Sequence, residues 1–346
     1  MTEIKGELST RLANMRIVCA LLVVAIHTEP VAIPKDWLWP FKYVLYHGVA
    51  VIGVPFFFFA SGLFLGVQCK EEGWWLRACR KRIKTLLVPF VFWCTVVVVI
   101  GKVLVPLVAS VVNGARFSPD GSEIIKWGTY GLDLFSGPIL GPLWFVRTLF
   151  IFVLLGPFLK FCLQKSAVVT LMVVGLAYYI MDPVHDQIRY IGIGREWWSF
   201  WGWYFSLEGL FYFLAGLCVS INEKARVLEF RRPWLAVIGI VVCVIPLLFD
   251  VPRLRVAPLA IPFVLAGVWS LCPAKRAFGF CGYAFPIYVL HGLVKKGLIL
   301  LPSDWQAFTG WFAIEWFVMV SFSLLLAFVI RILSEPLFAF AFGNRR

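Results

Sequence analysis

Two histidines, each inside an apolar stretch, are the strongest chemical signal in this sequence. His27 follows Arg16 after ten residues, Ile17 to Ile26, that carry no charge, and His291 ends the run Tyr288-Val-Leu-His291. Imidazole is the side chain best suited to take a proton from a hydroxyl near neutral pH. An ionisable group held in an apolar span is costly and is a functional suspect by default. On a helix rising about 1.5 Å per residue, His27 lies roughly 16 Å beyond Arg16. His291 is read at a similar depth on another helix that starts from the same side. A single histidine is equally well explained by an interhelical hydrogen bond. Two at matched depth favour a polar cavity.

Other charges share these apolar surroundings. Arg147 lies in Leu143-Trp144-Phe145-Val146-Arg147, and Glu208 and Glu315 lie in two later apolar runs. Unpaired charges in hydrocarbon cost several kcal/mol, so these must pair or line water. The plain reading is an ion pair of Arg147 with Glu208 or Glu315. The functional reading is a polar cleft that holds a hydrophilic acceptor. A basic run, Arg77-Ala-Cys-Arg80-Lys81-Arg82-Ile-Lys84, leads towards Pro89. Its residues either set topology or clamp a phosphate, which guanidinium groups bind bidentately. Val54-Pro55-Phe-Phe-Phe-Phe59-Ala60-Ser61-Gly62 puts small residues after an aromatic run, a pattern that lets helices approach closely. For Ser61, packing is the better reading than catalysis.

The elements that must carry these residues follow from composition. Of 346 residues, 61% are hydrophobic and 15% charged, and the mean hydropathy is +0.87. Soluble domains run nearer about 45–50% apolar and about 25% charged. The expected fold is therefore all-α, one polytopic integral membrane domain over residues 1–346. About ten transmembrane helices are expected, since a bilayer core takes roughly 20 apolar residues per helix. They fall near 15–33, 44–67, 86–112, 139–163, 166–181, 199–221, 233–249, 255–272, 279–301 and 311–333. Pro89 is expected to help open the third.

With the N-terminus inside, 20 Lys and Arg fall in inside segments and 10 outside, with Lys102 and Arg147 within spans. That bias predicts both termini cytoplasmic. The net charge of +13 then needs no nucleic acid, since anionic lipid explains it. No small-residue cleavage site follows the first apolar run, so it reads as a retained helix. Trp37, Trp39, Trp74, Trp75, Trp197 and Trp198 flank spans as an aromatic belt would. The nine cysteines show no CxxC pair and no metal-ligand spacing, and they read as free, packed thiols.

Together these residues resemble the acyltransferase-3 family of integral membrane acyltransferases, in its stand-alone form and over nearly the whole chain. Arg16 with His27 is similar to its Arg-x10-His signature, Pro55–Gly62 to its aromatic-Ser-Gly stretch, and Arg77–Pro89 to its basic approach to the third span. Leu143–Phe145 is similar to its Leu-Trp-Phe segment, and Tyr288–His291 to its late Tyr-x-x-His. One departure is that Arg77 and Arg80 have the family's Arg-x-x-Arg spacing but lie far from Pro89, whereas Arg82 lies nearer.

The resemblance implies transfer of an acyl group, commonly acetyl, from cytoplasmic acyl-CoA to a hydroxyl. The acceptor would be a cell-envelope glycan or its lipid-linked precursor, in a bacterial cytoplasmic membrane, with acyl-CoA as co-substrate and no resident cofactor or metal. His27 would be the general base, and His291 would orient the acceptor or stabilise an oxyanion. Arg16, Arg77, Arg80, Arg82 and Lys84 would hold the CoA phosphates, and Arg147, Glu208 and Glu315 would line the acceptor cleft. A secondary transporter or a flippase of envelope precursors is the alternative that ten spans with buried charges leave open. Oligomeric state is not legible in the sequence.

Overall fold

The computed structural model describes residues 6–28, 44–99, 143–191, 206–222, 228–229, 231–249, 253–299 and 312–343, and all regular structure among them is helical. The first helix is α1, Glu7–His27. A π turn, Leu45–Val49, and a 3-10 turn, Ala50–Ile52, then lead into α2, Gly53–Gln68. Helix α3, Trp74–Arg82, continues through a second π turn, Ile83–Leu87, into α4, Val88–Val99. Pro89 therefore does not open the third span, because the helix is already running at Trp74. Proline has no N–H to give the ladder, and the widened turn just before it loosens that register.

Next come α5, Trp144–Leu154, and α6, Gly156–Ile191. Ser166 breaks α6 with an extended backbone (φ −161°, ψ 102°). Its hydroxyl accepts the Val169 N–H and caps a second helix. The break falls between the fourth and fifth spans expected from sequence. Helices α7, Leu207–Ile221, α8, Trp234–Leu248, and α9, Arg253–Leu271, follow. A 3-10 turn, Cys281–Tyr283, precedes α10, Ala284–Ile299, and then come α11, Phe312–Leu333, and α12, Glu335–Phe342. Among the described residues, four helical stretches are long and apolar enough to cross a membrane, at Glu7–His27, Ala50–Gln68, Gly156–Ile180 and Ala313–Leu333. The protein is an all-helical membrane protein. Trp37, Trp39, Trp197, Trp198 and the polar stretch 113–138 lie outside the described residues.

Parallel helices α2 and α7 form the centre. Gly62 lies against the Phe213 backbone and Gly216 against that of Phe59, and a Cβ on either would meet a carbonyl oxygen at 1.9 or 2.0 Å. With no hydrophobic drive between helices in lipid, close backbone approach supplies the dispersion energy instead. Phe58, Phe152 and Phe213 fill the space alongside, with no more than 1% of their surface exposed. Helix α1 crosses α2 antiparallel and runs beside α10. By contrast, α6 and α11 are mostly exposed on long apolar faces (Val168, Met172, Leu176; Phe317, Leu325, Phe328), as the lipid-facing periphery of a bundle must be.

One end of this bundle gathers the basic segments. Arg11 and Trp269 both donate to the Leu228 carbonyl, Lys160 to that of Cys69, and Trp75 to that of Leu154. Trp93 donates to the Ala341 carbonyl. Helix α12 ends at Gly343, whose left-handed φ of 79° suits glycine, and docks on Thr85.

Gly216→Leu should overpack the α2–α7 seam and cost about 1–3 kcal/mol or more, while Gly297→Ala, with open space around it, should be silent. Thermal unfolding in detergent, followed by tryptophan fluorescence, checks both.

Candidate active site

The site begins with a polar side chain that carries no chemistry of its own. Asn14 is wholly buried in α1. Its amide donates to the carbonyls of Pro273 (2.9 Å) and Arg276 (2.8 Å). Its oxygen accepts the Phe278 N–H (2.8 Å) and the Cys281 thiol (3.3 Å). This saturates the side chain and ties the approach to α10 onto α1. Helix α1 and α10 then run parallel from a common anchor, so residues 27 and 291, each about three turns further on, meet at the same height. Trp316 of α11 donates to the Leu21 carbonyl (3.0 Å) and braces α1 from the other side.

The rings of His27 and His291 lie 5.2 Å apart, centroid to centroid, and tilted by 31°. The matched depth read from the sequence is therefore real. One expectation changes. His27 is not midway along a span running to about residue 33, because α1 stops at His27 and the ring sits on its last turn. There the ring is half-buried. His291 is fully enclosed. Its Nδ1 is 3.2 Å from the Ile287 carbonyl. A carbonyl can only accept, so Nδ1 carries the proton and Nε2 the lone pair. That Nε2 is buried with no hydrogen-bond partner among the described residues.

Separate sequence motifs converge on this pair. Tyr288 lies 6.0 Å from His291, ring to ring, and Phe57 and Phe145 pack on Tyr288 at 6.1 and 6.0 Å. Phe57 comes from the aromatic run of α2 and Phe145 from the Leu-Trp-Phe segment that opens α5. Sequence reasoning missed Lys295. It lies one turn past His291 on α10, and its ammonium donates to the backbone carbonyl of His27. The i, i+4 spacing was the available signal.

The basic candidates separate. Arg16 lies over the Phe64 ring at 4.8 Å, and Arg82 sits in the field of Arg16. Burial, with the Arg16 guanidinium beside it, pulls Arg82 down from its ordinary value to about 10, so it stays charged at neutral pH. Arg77 instead points outward and pairs with Glu71 at 2.8 Å, both largely exposed, and Arg80 and Lys84 are exposed as well. Of the cleft candidates, Arg147 and Glu315 are buried. Arg147 also lines an apolar groove of about 170 Å³ with Leu87, Phe90 and Phe150. Glu208 is half-buried at the start of α7 and accepts from the Tyr178 hydroxyl (3.1 Å). All nine cysteines are free thiols.

A helical membrane bundle that holds two histidine rings 5.2 Å apart near the end of its first helix defines a class, a helical membrane protein with a histidine pair inside its bundle. A family model described as an acyltransferase domain, Acyl_transf_3, matches residues 10–332, so the chain belongs to the acyltransferase-3 family of membrane acyltransferases. No curated protein and no solved structure matches it significantly.

Asn14→Ala should leave the Phe278 N–H without its partner and cost about 1–3 kcal/mol. A lowered midpoint of thermal unfolding, with activity falling at temperatures where the protein is still folded, is the expected result.

Proposed function

We propose that this chain is an O-acyltransferase of a bacterial cytoplasmic membrane, with ten spans and both termini in the cytoplasm. It moves an acyl group, acetyl in the first instance, from acyl-CoA to a hydroxyl of a cell-envelope glycan or its lipid-linked precursor. The observation that carries this reading is the paired imidazoles of His27 and His291, about three turns along α1 from the Arg16 and Arg82 guanidiniums.

Donor and base sit at the two ends of that interval. Two inward-turned arginines at the basic end supply what a CoA phosphate requires, and guanidinium binds phosphate by paired hydrogen bonds. The rise of α1 from Arg16 to His27, about 16 Å, is comparable to the reach of a pantetheine arm. A thioester held this way presents its carbonyl at the histidines.

His27 is the base, because it is the histidine open to an incoming hydroxyl, while His291 is enclosed behind it. The hydroxyl oxygen attacks the thioester carbon as its proton passes to a nitrogen of His27. The carbonyl electrons move to oxygen and form a tetrahedral oxyanion. Its collapse breaks the carbon–sulfur bond, and the departing thiolate takes the proton back from the imidazolium. General base catalysis of this kind contributes about 10²–10⁴-fold. His291, whose ring packs 5.2 Å from that of His27, holds the base in orientation. The Tyr288, Phe57 and Phe145 rings keep the site dry.

His27→Ala should insert and unfold like the wild type yet lose about 10²-fold or more of its acyl transfer, assayed with radiolabelled acetyl-CoA and cell-envelope extract. Full activity in that variant would sink the base assignment, and solute flux without CoA release would favour the transporter. Arg82→Gln should raise the acetyl-CoA KM about tenfold or more, whereas Arg77→Gln and Arg80→Gln should change it by no more than about threefold. Initial-rate kinetics over a range of acetyl-CoA concentrations separates the two groups.

A further inference from the structure

Lys295 occupies a place that the acid–base assignment above does not use. It lies on α10 one turn beyond His291, about 6 Å further along the axis, and on the same helical face. Its side chain is half-buried, and its ammonium donates a hydrogen bond to the backbone carbonyl of His27. Among the described residues no carboxylate pairs with it. An ammonium has three N–H donors, and the His27 carbonyl takes one of them.

The position is not explained by topology. Basic residues that merely flank a span extend their charge into the headgroup region. Lys295 instead turns onto the last turn of α1, against the helix end that carries partial negative charge. That end favours the cation and fixes its location beside the reacting histidine. A cation fixed in this way is the arrangement that stabilises negative charge developing in a transition state.

We propose that Lys295 is a catalytic residue of the acyl transfer, its ammonium donating to the thioester carbonyl oxygen as that oxygen becomes the tetrahedral oxyanion. This rests on the acyltransferase reading above. The proton balance of the reaction is unchanged. His27 takes the hydroxyl proton and returns it to the CoA thiolate, and Lys295 keeps all its protons throughout. Its contribution is electrostatic, greatest when the carbonyl electrons sit on oxygen, and it relaxes when the carbon–sulfur bond breaks. His291 is thereby left to orient His27 rather than to hold the oxyanion.

The test compares wild type with Lys295→Met, Lys295→Gln and Lys295→Arg. The probe is radiolabelled acetyl-CoA with cell-envelope extract, and the readouts are label transferred, CoA released and the thermal unfolding midpoint. Glutamine is the decisive variant, because its amide still donates to a carbonyl but carries no charge. We expect Lys295→Met and Lys295→Gln each to lose about 10²–10³-fold in kcat. Their acetyl-CoA KM should stay within about threefold of wild type, as for an interaction made only in the transition state. Lys295→Arg should recover at least about a tenth of the wild-type rate. A glutamine variant with kcat within about threefold of wild type would mean that the lysine only anchors α1, and the proposal would fall. It would fall equally if KM rose as much as kcat dropped. Should the methionine variant not fold, the glutamine and arginine variants decide the matter. A wild type that turns over no acetyl-CoA overturns the acyltransferase reading and this inference with it, whereas an active wild type with an active glutamine variant overturns the lysine alone.

Discussion

The buried amide of Asn14 is the contact on which the geometry of the site depends. In a low-dielectric interior a side-chain amide must find partners for its donors and its oxygen, or it destabilises the fold. Asn14 finds four, all in the segment Pro273–Cys281 that leads into α10. Satisfying that amide fixes two parallel helices in register at one end. Because both then rise at the same rate, their histidines must come level about three turns later. A slip of one residue in either helix would rotate its histidine by about 100° and separate the rings. The histidine pair is therefore positioned from a distance, by a residue with no chemistry of its own.

The rest of the bundle holds this frame from the side. The α2–α7 seam depends on absent side chains, since Gly62 and Gly216 let backbone meet backbone. That closeness brings Phe57 and Phe58 to the level of Phe145 and Tyr288. Phe58, one turn before Gly62 on the same face of α2, packs against Gly209 of α7 and on Phe145. Charge is arranged with the same economy. Arg16 lies over an aromatic ring with Arg82 in its field, while the remaining basic residues of α3 face outward.

Much of this was legible in the sequence, for identifiable reasons. The apolar runs and sparse charges required membrane helices, because no soluble core could bury them. The depths of His27 and His291 followed from helix rise alone. The expected boundary between 163 and 166 lies beside the non-helical Ser166 within α6. The extent of α1 was not legible. The expected span was carried to Val31-Ala-Ile33 across Thr28-Glu29-Pro30, whereas the helix stops where Thr28 bonds back to Val24 and Ala25. Pro89 was misread for a related reason. Proline usually opens a helix, and only the π turn before it shows how this helix accommodates one.

Residue type and spacing determined that this chain is a helical membrane protein, that it carries two histidines at one depth, and that basic residues precede its third span. These are properties of a one-dimensional string, set by hydrophobicity and helix pitch. Which basic residues turn inward, which histidine is enclosed, and that Lys295 reaches the carbonyl of His27 were decided only by tertiary structure. Those outcomes depend on the rotation of each helix about its own axis, and that rotation is set by packing partners far away in the chain. Asn14 and Pro273, 259 positions apart, are one such pair, and no local pattern in the sequence connects them.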